Sequence, residues 1–239
     1  MIDEELGQDF PYFASVGNHE LDGTAWGQEG GYRDRLEDRA SRLGYTWTGI
    51  YGEQASLSFE GIRVLLGSPG IFPNIENSTY ANCFAGELAT DTATWRICSW
   101  HKNQREMQVG GKSDEVGYAV YEACRTGGAI IATGHEHSYS RTHLLSDISE
   151  QIVASRSDTL ELSEGRTFVF VSGLGGRSIR SQSREGDWWA SIYTATQGAR
   201  HGALFASFNG EDDPSLARFY FKNVVGQIVD EFWVRSRVD

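Results

Sequence analysis

The sequence predicts an α/β fold with two layers around one core, on three observations. A strand-like run at 94–100, a helix-like stretch ending near Arg125 and a second apolar run at 128–133 form a β-α-β unit, which favours parallel neighbours. After Arg141 the pattern turns to β, and the late alternation Phe219/Phe221 and Ile228/Asp230/Phe232/Val234 fits strands buried on one face. The 239 residues, 39% apolar and 12% aromatic, suffice for one large domain spanning 1–239 and carry no disordered signature.

Taken in order, residues 1–9 are acidic and read as the end of a helix, without the apolar stretch of a secretory signal. Residues 10–16 read as a strand, and the glycine-rich 17–31 as a long functional loop. Residues 32–43 form a charged helix stopped by Gly44. Runs 46–51, 55–59 and 62–66, broken by Gly52 and Gly61, read as a meander. Residues 77–88 read as a helix. The strand 94–100 delivers His101, and 102–112 is a polar loop. Ser113 or Asp114 caps a helix running to about Arg125. Strands follow at 128–133, 167–172, 203–208, 217–222 and 227–234.

Net charge is −12, which argues against nucleic acid or an anionic membrane as the main partner. It leaves room for a small phosphorylated substrate, because a bound metal inverts the local field. No run of about 18 apolar residues is present to span a bilayer. Cys83, Cys98 and Cys124 are odd in number and widely spaced, so buried free thiols are expected rather than a thiolate metal site.

The chemistry concentrates in two strand-end clusters. Gly134-His135-Glu136-His137-Ser138-Tyr139-Ser140-Arg141 carries two histidines one residue apart. That spacing cannot share a helix face, but on a turn after a strand both rings can converge. Gly17-Asn18-His19-Glu20 follows the 10–16 run in the same way. Four of the six histidines (His19, His101, His135 and His137) therefore fall at predicted strand ends, beside Asn18. Ligand sites in open α/β sheets gather there, and mixed N/O donors without Cys suit Zn, Fe, Mn or Co. On a strand-end turn Glu136 should point away from its flanking histidines. His201, before a strand, fits a structural or a substrate-side place equally. Gly173-Leu174-Gly175-Gly176 lacks the Lys-Ser/Thr of a phosphate loop and reads as a tight turn beside the site.

At these residues the chain resembles the calcineurin-like metallophosphoesterases, and within them the purple-acid-phosphatase-like branch. Gly17-Asn18-His19-Glu20 is similar to that family's Gly-Asn-His-Asp/Glu block. Cys98-Ser99-Trp100-His101 stands where the family has a Val-x-x-His strand end. The 134–141 block resembles Gly-His-x-His-x-Tyr-x-Arg, and residues 219–232 resemble the branch's closing hairpin. The resemblance implies an α-β-β-α sandwich of mixed sheets and phosphate monoester hydrolysis at two metal ions (Fe, Zn or Mn). Asn18, His101 and His135 would hold one metal, and His137 would ligate the other. His19 would protonate the leaving group, with Glu20, Tyr139, Arg141 and His201 on the substrate side or behind the ligands. Relatives in this branch are often secreted, but the compartment stays open.

The chain departs from that pattern in lacking the family's two earlier aspartate blocks; Asp3 and Asp9 sit in no such context. This implies a chain missing its first N-terminal strands, with exposed sheet edges, lower stability and a tendency to self-associate. The alternative to an active phosphatase is an impaired or non-enzymatic member binding at most one metal. Lys102-Asn103 replaces a frequent proline position after the histidine and should alter only the loop.

Overall fold

The computed structural model describes residues 2–21 and 26–238; part of the glycine-rich 17–31 loop lies outside the described residues. Four α-helices are present among them: α1 (Ile2–Leu6), α2 (Tyr32–Arg42), α3 (Asn77–Leu88) and α4 (Ala119–Thr126). The strands are β1 (Trp47–Ile50), β2 (Gln54–Phe59), β3 (Ile62–Gly67), β4 (Trp95–Trp100), β5 (Ile130–Thr133), β6 (Tyr139–Thr142) and β7 (Leu144–Asp147). They continue with β8 (Ile152–Ser155), β9 (Thr159–Leu162), β10 (Val169–Ser172), β11 (Trp189–Tyr193), β12 (Gly202–Phe208), β13 (Leu216–Asn223) and β14 (Ile228–Ser236).

The expected α/β sandwich of mixed sheets is observed. One sheet has eight strands in the order β1-β2-β3-β4-β5-β10-β6-β11, and a second has four in the order β12-β13-β14-β9. The meander β1-β2-β3 is antiparallel, whereas β3, β4, β5 and β10 run parallel. Alternation along the strands sends successive residues to opposite faces. Leu65, Cys98, Trp100 and Ile131 meet Tyr80, Phe84 and Leu88 of α3 and Val120 and Tyr121 of α4. On the other face, Trp95, Ile130 and Phe168 meet Leu160, Phe219, Phe232 and Val234 of the second sheet. Val64 and Leu66 also face that way, where Leu36 and Ala40 of α2 cover them. Burying such side chains from both sheets contributes roughly 1.5–3 kcal/mol each, so the two apolar seams hold the sandwich.

Several sequence expectations need correction. Residues 10–16 form no strand. The segment is extended, but its polar groups are met from outside any ladder: Val16 N–H donates to Gly52 O (2.9 Å), Arg39 of α2 donates to Phe10 O (2.6 Å) and Ser15 Oγ donates to Ser99 O (2.9 Å). Nor does a helix begin at Ser113. Asp114 Oδ1 accepts from the N–H groups of Val116 (3.1 Å) and Gly117 (2.8 Å), closing a local turn that competes with the helix. Gly117, at φ +72°, then redirects the chain, and α4 begins at Ala119.

The cysteines are not all free. α4 lies on the face of β4 and brings Cys98 and Cys124 to a Cα–Cα distance of 6.4 Å, where they form a disulfide; Cys83 remains free. The pairing joins residues 26 apart in sequence, a distance carrying no motif. Among the described residues no helix is long and apolar enough to cross a membrane.

Candidate functional site

β4 and β5 are parallel neighbours, with Trp100 opposite Thr133, so their carboxyl ends deliver His101 and Gly134 side by side. The Gly134 N–H donates to His101 O (3.3 Å), and Asn103 Nδ2 donates to Gly134 O (2.7 Å), tying the loop after β4 to the turn after β5. His135 sits at φ +63°, a left-handed conformation costly for a residue with a Cβ. Such strain persists where the surroundings impose it and gathers at functional sites. Here it turns the His135 ring back onto His101, with ring centroids 4.8 Å apart.

Three donor atoms converge at this point. Asn18 Oδ1 lies 3.0 Å from His101 Nε2, and His135 Nδ1 lies 3.0 Å from the same nitrogen. His101 Nε2 offers one in-plane site, a hydrogen or a lone pair, so it can satisfy Asn18 Oδ1 or a His135 Nδ1–H as a hydrogen-bond partner but not both at once. A cation satisfies all three: bonded at about 2.1 Å to two donors at right angles, it holds them about 3.0 Å apart. Burial lowers the pKa of His101 to about 4, opposed by Glu20 and aided by Lys112. Burial, Lys112 and His101 likewise lower His135 to about 4. Both rings are therefore neutral near pH 7, the form that ligates metals.

Gly17 makes the approach of the 17–20 turn possible. Its N–H donates to Glu20 Oε2 (2.8 Å), and a Cβ there would lie 2.7 Å from that oxygen and 3.0 Å from His101 Nδ1. His19 is exposed at the tip of the turn, close enough for its charge to affect His101. His135 Nε2 lies 2.9 Å from Glu115 Oε2 and 2.5 Å from Lys112 Nζ, and Glu115 Oε1 is held by Lys102 at 2.9 Å. The loop after β4 thus supplies Lys102, Asn103, Lys112 and Glu115. None of them stands in a motif, and the sequence marked this stretch only as polar. Lys102 and Asn103 reach well beyond loop shape, since one anchors Glu115 and the other clamps the histidine turn.

Other candidates have different partners. His137 Nδ1 meets Ser178 Oγ at 3.2 Å, and His201 Nε2 donates to Arg177 O at 2.6 Å. Tyr139 and Arg141, on β6, are buried and directed at Asp230 of β14: Tyr139 Oη donates to Oδ2 (2.6 Å), and Arg141 grips both carboxylate oxygens (2.7 and 2.9 Å). They anchor the two sheets to each other through Asp230.

Glu136 is fully buried, its Oε2 3.2 Å from Arg180 Nη1. Its carboxyl occupies the space above Gly110, where any Cβ would collide with it, and a Cβ on Gly173 would collide with the Glu136 carbonyl. Gly173 therefore lets the backbone pass the histidine turn at close range, whereas Gly175 and Gly176 face open space. Gly110→Ala should cost about 1–3 kcal/mol of unfolding free energy in urea. A change within error of wild type would mean that Glu136 has room to move.

Among the described residues no group of three or more His, Cys, Asp or Glu side chains is arranged to hold a metal; the convergent set contains two histidines and an asparagine amide. Three neutral donors of this kind could hold one cation.

No family model matches this sequence, and no curated protein matches it. Solved structures do. Purple acid phosphatase PPD1 from yellow lupin (Lupinus luteus) seeds aligns with a TM-score of 0.64 at 17% identity, over 96% of this chain and 41% of that one. GAP50, the anchor in the inner membrane complex of Plasmodium, aligns at 0.48 with 10% identity over 82% and 55% of the two chains. PhoD aligns at 0.45 with 11% identity over 80% and 42%. The chain spans less than half the length of the lupin phosphatase. At that identity the likeness shows the fold: this chain has the mixed-sheet α/β sandwich of a purple acid phosphatase, a metallophosphoesterase-like architecture.

Proposed function

We propose that this chain is a metal-dependent phosphoesterase hydrolysing phosphate monoesters of small molecules, with one divalent cation held by Asn18 Oδ1, His101 Nε2 and His135 Nδ1. The observation that supports it most directly is the approach of those three donors to within 3.0 Å of one another's central nitrogen, at the ends of β4 and β5. A bound cation would supply Lewis-acid polarisation of a phosphoryl oxygen. Exposed His19 is the group for protonating the leaving oxygen, and Glu20 fixes the turn that presents Asn18 and His19. Among the described residues no group of three or more His, Cys, Asp or Glu side chains gathers at His137, so a second metal forms no part of the proposal.

The test is metal content by mass spectrometry after equilibration with Zn, Mn or Fe, paired with p-nitrophenyl phosphate turnover. The expected result is one cation per chain and turnover abolished by His135→Ala. Neither metal nor turnover would sink the reading. Metal without turnover would support a second reading, a cation-binding member without hydrolysis. The absence of any carboxylate among the three donors favours that reading, because nothing in the set offsets a dication's charge.

A further inference from the structure

His135 Nε2 has two neighbours with opposite demands. Glu115 Oε2, at 2.9 Å, accepts a hydrogen, whereas the Lys112 ammonium, at 2.5 Å, can only donate one. If Lys112 donates to Nε2, the ring hydrogen sits on Nδ1 and the nitrogen facing Asn18 and His101 has no lone pair. If Nε2–H donates to Glu115, Nδ1 is free to join the convergent set. Glu115 is held for this role by Lys102 at 2.9 Å. A carboxylate behind the distal nitrogen is the usual way a protein fixes the tautomer of a metal-ligating histidine. In that state the three N–H groups of Lys112 are unspent.

Lys112 is also built into place. Its carbonyl accepts from Gln108 Nε2 (2.9 Å), a fully buried side chain, and from Arg184 Nη2 (2.7 Å). The neighbouring backbone is stitched to 183–184 by bonds from Ser183 and Arg184 N–H to Val109 O (2.8 and 3.0 Å). Each nearby acid is engaged elsewhere: Glu115 with Lys102 and His135, and Glu136 with Arg180. Among the described residues Lys112 forms no ion pair. In a chain of net charge −12, this ammonium sits beside the two imidazoles, and the carboxylates that act on it, Glu115 and Glu136, are each bonded to another cation. A partly buried charge left unpaired is costly unless a ligand meets it.

We propose that Lys112 is an anion-binding residue whose ammonium takes an oxygen of a phosphate group beside the Asn18–His101–His135 donors. This deepens the phosphoesterase reading and rests on it for the nature of the anion. Lys112 then supplies positive charge that no second metal provides, and Glu115 holds His135 in the tautomer that leaves Lys112 available.

The experiment is calorimetric titration of inorganic phosphate into chelator-dialysed protein, so that binding through a metal is removed from the readout. Wild type should bind. Lys112→Met should weaken binding at least about tenfold, Lys112→Arg should retain most of it, and the exposed control Lys222→Met should be unchanged. A second measurement uses wild type alone: phosphate should slow acylation of Lys112, read by peptide mass spectrometry, while leaving Lys222 unaffected. This decides the matter even if Lys112→Met fails to fold. The proposal is overturned if metal-free wild type does not bind phosphate, if Lys112→Met binds as wild type does, or if phosphate leaves Lys112 acylation unchanged. Phosphate binding that appears only with added Zn or Mn and ignores Lys112 would overturn it while leaving the cation reading standing. Lys112-dependent binding without turnover under any metal would do the reverse.

Discussion

Asp230→Ala should lower the unfolding free energy by about 3–5 kcal/mol, close to the largest loss a single substitution produces. Arg141 is 6% exposed, and its guanidinium donates to both Asp230 oxygens at 2.7 and 2.9 Å while lying 3.9 Å over the Phe232 ring. Tyr139, fully buried, donates to the same carboxylate at 2.6 Å. Its phenol is held well above its ordinary pKa by burial and by the Asp230 charge, so it stays a donor. Removing Asp230 would strand a cation and a hydroxyl between the sheets. Glu231→Ala is the natural control. It breaks the adjacent Arg218–Glu231 pair (2.6 Å), whose side chains are 40% and 45% exposed, and should cost less than about 1 kcal/mol. Urea unfolding with unchanged m-values measures both. Equal losses would show that the Tyr139–Arg141–Asp230 cluster is a surface-like pair and would reopen Arg141 as a substrate contact.

This cluster also marks where sequence patterns stop being informative. The Tyr-x-Arg that follows His137 was visible. The partner was not, because Asp230 lies 89 residues away on a strand recognisable only by its alternation. Helices α2 and α3 and the meander were legible because their signals are local: apolar periodicity, Gly44 as a stop, Gly52 and Gly61 as turns. Residues 10–16 carried the same apolar signal and formed no strand, since a ladder needs a neighbour and this segment spends its hydrogen bonds on Gly52, Arg39 and Ser99. The disulfide was hidden for a related reason, because only the packing of α4 on β4 brings Cys98 to Cys124.

Within the site, the three converging donors were legible and their support was not. Asn18 and His135 each follow a short apolar run and a glycine, and His101 ends the 94–100 run, all of which a single sequence displays. Lys112 and Glu115 come from a polar loop more than a turn away from any such signal. Lys112 is held at His135 by bonds from Gln108 and Arg184 to its carbonyl, and Glu115 by Lys102. A loop of this kind shows polarity in sequence but gives no indication of which of its charges turn inward.

In chelator-treated protein, Zn or Mn at about a hundredfold excess over its Kd should raise stability by about 2.7 kcal/mol, and His101→Ala should remove nearly all of that gain. The asymmetry among the donors makes this the decisive residue. His101 Nε2 is within 3.0 Å of both Asn18 Oδ1 and His135 Nδ1, so deleting it leaves two donors without the atom that joins them. Glu115→Gln should weaken the cation by about 10–100-fold without touching a donor, because it frees the His135 tautomer. His137→Ala should leave the gain intact, since its ring is engaged by Ser178 at 3.2 Å. Thermal unfolding with and without cation reads all three variants. If His137→Ala erased the gain as fully as His101→Ala, the cation would draw on both strand-end histidines and the three-donor site would be wrong. If none of the variants changed it, the cation would be held elsewhere, and the approach of Asn18, His101 and His135 would be a hydrogen-bonded core contact.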